Sequence, residues 1–206
     1  IIQIPRSAVG IPERIPILIL VNDPSFILQQ LREALVAIKQ DVINPESFVE
    51  FTYRSYFVDK ARGCVLRLSA DGITEVSNYG MKDYFRDNLS AQTGYVHGTY
   101  DSTKGQYNLS LPTSVNTTLS FSESINGWVS RKSFIPEGGL SLNNKYYTFN
   151  QGHLYEHHNG ATNTFYGTKT DSEVTFLLNE APANVKNFRT LNYEGDAGWY
   201  CDSIIT

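Results

Sequence analysis

The spacing of apolar side chains along the chain changes from every three or four positions to every second position. Between residues 25 and 40 the longer spacing holds, which is typical of one face of an α-helix. Asp23 or Ser25 can cap this helix, and Pro24 suits its first turn. From Phe48 onward the spacing is two, as in a half-buried strand. The pattern therefore predicts an N-terminal α-helix followed by a β region.

One hairpin pattern occurs three times in the β region. It consists of an apolar or aromatic residue, an Asp or Asn at a turn, a Gly, and then an alternating strand. The turn residues are Asp59, Asp101 and Asn150. Units that recur at about 40–50 residues and hold several strands each are typical of propeller blades. We therefore expect a mainly β fold of propeller-like repeated antiparallel sheets, incomplete in this chain, with an N-terminal α-helix.

The alternation also predicts where the domains and strands lie. We expect an arm and helix at residues 1–45 and a β-repeat region at 46–206. The expected blades are about 53–78, 94–135 and 140–180, with the start of a further one at 186–206. The strands of the third blade are predicted at 145–150, 152–158, 163–167 and 172–178. A short helix is predicted at 80–89, and a closed propeller of about four to eight blades would need further sequence or a second chain.

The composition argues against several classes of protein, namely nucleic-acid-binding, disulfide-rich and membrane-spanning proteins. The chain has 206 residues, of which 41% are hydrophobic, 13% aromatic and 18% charged, and its net charge is −4. It has no basic tract of the kind that binds nucleic acid non-specifically. Two cysteines do not make a disulfide framework. Residues 15–21 are apolar but fall short of the roughly 20 residues of a membrane span, so they form either a buried strand or an arm on a neighbouring subunit.

Three histidines lie close together with Glu156. On a strand, His153 and His157 would share one face and His158 would lie on the other. Two imidazoles on one face need a third ligand to bind zinc, and no second cluster supplies one. We therefore expect no metal site and no cofactor.

The sequence gives equally little support for a glycoside-cleaving site or a sugar-binding site. Paired carboxylates can cleave glycosides only at a set separation, and carboxylates in turns are mostly solvated. The carboxylates considered are Glu123, Glu137, Glu156, Asp171, Glu173 and Glu194. Exposed aromatic rings could stack on sugars, although packing within and between blades is the stronger expectation. The aromatic residues considered are Trp128, Tyr146, Tyr147, Tyr155, Tyr166, Trp199 and Tyr200. We expect no catalytic residue and no enzymatic activity.

An ordered series of segments resembles large virion proteins of tailed bacteriophages. The segments are residues 66–73, 80–87, 100–109, 120–130, 147–155, 165–167 and 186–195. The series is similar to the tail muzzle, nozzle or stabilisation proteins of crAss-like and related short-tailed phages. The resemblance covers about residues 54–206.

This resemblance implies a non-enzymatic subunit of a ring around the tail axis that builds the tail and gates or guides DNA ejection. Its implied partners are copies of itself, other tail proteins, DNA in transient passage without specific binding, and the host surface, with no membrane span. Its implied place is the virion tail, after assembly in the host cytoplasm. Two alternatives stay open, namely a receptor- or glycan-binding module at the tail tip and a glycan depolymerase.

Overall fold

The computed structural model describes the chain in four stretches, residues 44–177, 181–192, 194–195 and 197–205. The predicted helix at 25–40 and the apolar segment at 15–21 lie outside them. The described residues fall into two units, one that ends at Asp171 and one that begins at Ser172. The predicted division of the chain near residue 45, and the extent of each repeat, remain predictions.

The first unit is built mainly of β-strands, which confirms the predicted mainly β class. Its strands are β1 (Val49–Phe51), β2 (Arg54–Asp59), β3 (Cys64–Ser69), β4 (Gly72–Glu75), β5 (His97–Asp101), β6 (Gln106–Leu111), β7 (Thr117–Ser122), β8 (Gly127–Lys132), β9 (Gly138–Leu142), β10 (Lys145–Asn150), β11 (His153–Glu156), β12 (Thr164–Phe165) and β13 (Thr168–Lys169). Its helices are α1 (Lys82–Ala91) and the 3-10 turns Pro45–Ser47 and Val76–Asn78. None of the helices in the described residues is long and apolar enough to cross a membrane.

The strands form four antiparallel sheets, and each strand pairs with its neighbour in the sequence. The first sheet has the order β1-β2-β3-β4, the second β5-β6-β7-β8, the third β9-β10-β11, and the fourth is the hairpin β12-β13. Asp59, Asp101 and Asn150 are each the last residue of a strand, directly before the turn of a hairpin, as the repeated pattern predicts. Among the described residues, the sheets do not close into a propeller or a barrel.

The two central strands of the second sheet, β6 and β7, are buried, because α1 and the first sheet cover one face of the sheet and the third sheet lies against the other. On the first of these faces, Leu109 and Leu119 pack with Phe85 of α1 in the main apolar core. On the second face, several buried polar side chains form hydrogen bonds with one another. The Ser120 hydroxyl donates to Asn108 Oδ1 at 2.6 Å. This bond gives the buried Ser120 hydroxyl the hydrogen-bond partner that buried polar groups require.

Helix α1 begins two residues later than the predicted helix at 80–89 and ends two residues later. Its buried residues are Phe85 and Leu89, four positions apart on one face, as the apolar spacing predicts. The loop before β3 comes very close to this helix at Gly63. A Cβ there would lie 2.8 Å from the Arg86 Cα, and Gly63 has a φ of +67°, so only glycine suits both the space and the turn.

Three details of the third repeat differ from the sequence prediction. The strand predicted at 163–167 ends at Phe165, because Tyr166 and Gly167 both have positive φ and turn the chain back into β13. The segment predicted as a strand at 172–178 carries no strand in its described part, 172–177. The third sheet gains its third strand instead from β9, which begins at Gly138, between the second blade expected at 94–135 and the third expected at 140–180.

Candidate assembly surface

The outer face of the third sheet carries four exposed apolar side chains. The register pairs Leu154 with Phe149 and Leu140 with Tyr147, so these residues and Leu142 lie on one face. The exposed fractions are 45% for Leu140, 59% for Leu142, 39% for Phe149 and 58% for Leu154. We call these four residues the apolar face. Contiguous exposed apolar side chains of this kind mark interaction surfaces.

The inner face of the same sheet is fixed to the rest of the unit by buried hydroxyl groups. Tyr146 is 1% exposed, and its hydroxyl lies 2.7 Å from the Thr99 hydroxyl on β5. The Thr148 hydroxyl lies 2.7 Å from His157 Nε2 and 2.8 Å from the Tyr166 hydroxyl. Because every one of these contacts is on the inner face, the sheet holds the apolar face outward in a set orientation.

The histidine cluster does not form the strand pattern that the sequence predicts. Strand β11 ends at Glu156, so His157 and His158 lie in the turn beyond it and both contact the interior of the unit. His158 Nε2 lies 2.6 Å from Asp101 Oδ2, whose side chain is fully buried. Burial lowers the pKa of His157 from 6.5 to about 4, with smaller contributions from His158 and from the nearby lysine of β8.

No group of three or more metal-ligating side chains assembles within the described residues. His153 is exposed at the start of β11, whereas His157 and His158 lie beyond the end of that strand. His157 and His158 instead hold the end of β11 to Thr148 and Asp101, so their role in the structure is packing and hydrogen bonding.

The carboxylates singled out from the sequence lie in separate places, and three of them have structural partners. Glu123 accepts from the Tyr56 hydroxyl and from Arg67 Nη1, both at 2.6 Å. Glu156 pairs with Lys145 at 3.0 Å. Glu137 accepts from the backbone N–H groups of the turn between β10 and β11. Asp171, Glu173 and Glu194 are exposed.

Most of the aromatic residues from the sequence analysis pack inside the first unit. The Trp128 Nε1 donates to the Val76 carbonyl at 3.0 Å, and the rings of Tyr155 and Tyr166 lie 4.7 Å apart. Tyr147 is half-buried, and its hydroxyl donates to Glu156 at 3.3 Å. These contacts confirm the packing expected for these residues.

The first strands of the three larger sheets come together around a cleft of about 630 Å³. Phe51 of β1 stacks on Tyr100 of β5 with ring centroids 3.9 Å apart. Ser141 of β9 donates to the Tyr100 carbonyl at 2.7 Å and accepts from the Ser102 N–H at 3.0 Å. The cleft is thus built from the edges of three sheets joined by side-chain contacts.

The second unit differs from the first in its secondary structure and in the exposure of its apolar side chains. Its described residues carry no helix or strand, and many of its large apolar side chains are exposed. These are Val174, Phe176, Leu177, Val185, Phe188, Leu191, Trp199, Tyr200, Ile204 and Ile205. Cys201 is free and exposed, and Cys64 of the first unit is free and buried. So many exposed apolar side chains in a short stretch are typical of a surface that a partner covers.

Sequence reasoning missed the apolar face and the buried role of Asp101. Leu140 and Leu142 flank a polar residue, and this alternation predicts a strand with one apolar face. The two glycines before them, however, suggested the end of a repeat. Asp101 was recognised only as a turn residue. Its contact with His158 spans 57 residues of sequence, and no local pattern reports such a contact.

A family model matches part of the chain. No curated protein matches the chain. Residues 160–204 match the model of the Crassvirus muzzle protein C-terminal domain. The matched residues include the β12-β13 hairpin and most of the second unit. The match confirms the resemblance drawn from the sequence, because residues 160–204 are similar to the C-terminal domain of a crassvirus tail muzzle protein.

Proposed function

We propose that the chain is a non-enzymatic structural subunit of a phage tail, in the muzzle or nozzle, present in several copies around the tail axis. The match of residues 160–204 to the Crassvirus muzzle protein C-terminal domain is the observation that carries the proposal. A muzzle protein assembles with other tail components, and its place is the virion tail. The formation of a ring, assembly in the host cytoplasm, a part in DNA ejection and contact with the host surface belong to the proposal.

The exposed apolar surfaces support an assembled state. A chain that stood alone would leave the apolar face and the side chains of the second unit in water, at a cost of about 25 cal/mol for each Å² of apolar area. Interfaces between permanent subunits are large and apolar, so assembly would cover these surfaces.

The arrangement of the sheets supports a propeller-like architecture completed by assembly. Three consecutive meanders place their first strands beside one another, as the inner strands of neighbouring blades do. The third meander stops at three strands and leaves the apolar face exposed. Further blades from other sequence or from a second chain would cover that face.

The roles of the polar side chains support a function without catalysis. Glu123, Glu156 and Glu137 are held by ion pairs and by turn N–H groups, and the contact of the buried Asp101 with His158 holds β5 to the end of β11. Each of these groups stabilises the first unit, so none needs a reaction to account for its place.

The net charge of −4 supports a channel through which DNA passes without sticking, because like charge repels the phosphate backbone. Substitution of channel-lining carboxylates by their amides should then slow DNA ejection and leave DNA retained in the particles. An unchanged ejection rate in such particles would contradict this part of the proposal.

An electron-microscopy reconstruction of the virion tests the structural role. The expected result is density for the three meanders of residues 49–156, repeated around the tail axis at the distal end of the tail. Density for the chain in the capsid, or absence of the chain from purified virions, would overturn the proposal.

Binding of host glycans is a second candidate function, favoured by Trp199 and Tyr200, which are 50% and 79% exposed. Aromatic rings that face solvent can stack on sugar rings. A glycan array should then give binding that is lost in the Trp199→Ala and Tyr200→Ala variants and kept in a Leu191→Ala control. Absence of binding by the unaltered chain would exclude the glycans tested and leave the structural role in place.

A further inference from the structure

We propose that residues 172–177 of a second copy of this chain add to β11 as the fourth strand of the third sheet. The proposal rests on the proposed function, because it names the contact between neighbouring subunits of the assembly. It joins two features of one chain, a sheet that lacks a strand and a strand-like segment that lacks a sheet.

The third sheet is one strand short of its neighbours. The first and second sheets each have four strands in sequential order, whereas the third has β9, β10 and β11 only. No strand of the described residues pairs with the outer edge of β11. An unpaired edge of this kind is a template for the strand of another chain.

The hydrogen-bonding groups at that edge follow from the pairing of β11 with β10. The His157 N–H donates to the Tyr146 carbonyl at 2.8 Å, and antiparallel strands alternate between residues that bond to the partner and residues that do not. By this alternation, Tyr155 bonds to β10, whereas the N–H and C=O groups of Leu154 and Glu156 point to the outer edge. An added strand therefore finds two donors and two acceptors there.

The segment 172–177 has the pattern of the missing strand. Val174 and Phe176 alternate with Thr175, which is the spacing of a strand with one apolar face. Val174 is 56% exposed and Phe176 is 74% exposed, and the segment carries no strand of its own. Once added to β11, these two side chains would lie beside Leu154 and extend the apolar face.

The occupant is a second copy, because the proposed function places several copies of the chain beside one another. The side chains of Val174, Phe176 and Leu154 are exposed, so a contact between copies can bury them. Each copy carries both the edge of β11 and the segment 172–177, so each copy can give one strand and receive one. The contact joins two different surfaces, and a head-to-tail contact of this type closes into a ring when its rotation allows.

The test uses two full-length variants that each lose one half of the contact. Leu154→Asp places a charge on the edge, and Phe176→Asp places one on the added strand. Both residues are exposed, so each variant should keep the circular dichroism spectrum of the unaltered chain. An Ile125→Asp variant, changed at an exposed turn between β7 and β8, is the matched control.

Sedimentation-velocity ultracentrifugation should show oligomers for the unaltered chain and for Ile125→Asp, and monomers for each of the other two variants alone. A mixture of Leu154→Asp and Phe176→Asp should give dimers with one copy of each and nothing larger, because only one intact edge and one intact strand remain. This one-to-one limit is the signature of a head-to-tail contact.

Three results would overturn the proposal. These are an unaltered chain that stays monomeric at all concentrations, variants that assemble as well as the control, and variants whose mixture does not form dimers. The structural role in the tail is tested separately by the position of the chain in the virion. Either idea can therefore fail while the other stands.

Discussion

His158 Nε2 lies 2.6 Å from Asp101 Oδ2 and joins the turn after β11 to the end of β5. The Asp101 side chain is fully buried, and its other oxygen accepts from the N–H groups of Thr103 and Lys104 at 3.0 and 3.2 Å. One carboxylate thus closes a hairpin of the second sheet and holds the last turn of the third sheet.

Replacing Asp101 by Ala should lower the free energy of unfolding by about 3 kcal/mol, since it leaves His158 and two turn N–H groups without their partner. Urea unfolding followed by tryptophan fluorescence would measure the loss. The matched control is Asp59→Ala, at the same position of the first hairpin.

The Asp59 carboxylate accepts from the Arg62 N–H and pairs with an Arg62 side chain that is 76% exposed. Surface pairs of this kind contribute about 1 kcal/mol or less, so the control should lose far less stability. Equal losses in the two variants would show that the Asp101–His158 contact adds nothing beyond the turn.

The stability of the first unit should fall as the pH drops below 6.5, because His157 is held neutral. Its pKa is about 4 in the folded chain against 6.5 for an ordinary histidine, so the unfolded chain binds the proton more tightly. The contribution of His157 is complete above pH 6.5 and is lost as the pH falls through 4. The expected loss is about 1–2 kcal/mol, since partial exposure of the ring to solvent screens the effect.

Urea unfolding at pH 7.5, 6 and 4.5 would measure this dependence. In His157→Gln the difference between pH 7.5 and 4.5 should shrink, whereas in the control His153→Gln, changed at an exposed site, it should stay as it is. A pH dependence that His157→Gln leaves untouched would assign the effect to other groups.

The Glu123 carboxylate should contribute more to the free energy of unfolding than an exposed carboxylate does. It accepts from Arg67 and Tyr56, and the Arg67 side chain is only 13% exposed. Glu123→Gln removes the charge that compensates this arginine and should cost about 3 kcal/mol.

The control for this change is Asp83→Asn, which breaks a pair with Arg86 in which both side chains are well exposed. It should lower the stability far less than Glu123→Gln does, because solvent screens an exposed ion pair. Thermal unfolding of the two variants would compare their losses of stability. If Asp83→Asn lost as much stability as Glu123→Gln, burial would not explain the contribution of Glu123.

Gly98 should not tolerate even a methyl group. A Cβ at this position of β5 would overlap the Ser47 carbonyl, which belongs to the backbone and also accepts from the Tyr107 hydroxyl at 3.0 Å. Gly98→Ala should destabilise the first unit by about 1–3 kcal/mol through overpacking.

Gly138→Ala is the matched control, because a Cβ at Gly138 on β9 meets nothing within 4 Å. Urea unfolding should show little change for that variant. If Gly98→Ala were as stable as Gly138→Ala, the close approach of β5 to the 3-10 turn at Pro45–Ser47 would be refuted.

Local order was readable from the sequence. Alternation with period two predicted the β class, the Asp or Asn turns at Asp59, Asp101 and Asn150 marked where strands end, and the spacing of Phe85 and Leu89 marked helix α1. These features depend on neighbours within a few residues, so the backbone preference and the apolar pattern are enough to reveal them.

Tertiary structure alone decided which surfaces are covered. The alternation of Val174 and Phe176 predicts a strand, but a strand forms only where an edge accepts it, and the described chain leaves both the segment and the edge of β11 unpaired. In the same way, Asp101 and His158 meet only because the second and third sheets pack together. Pairing and burial depend on residues far apart in the sequence, and in an assembled protein they depend also on other chains, so no local pattern contains them.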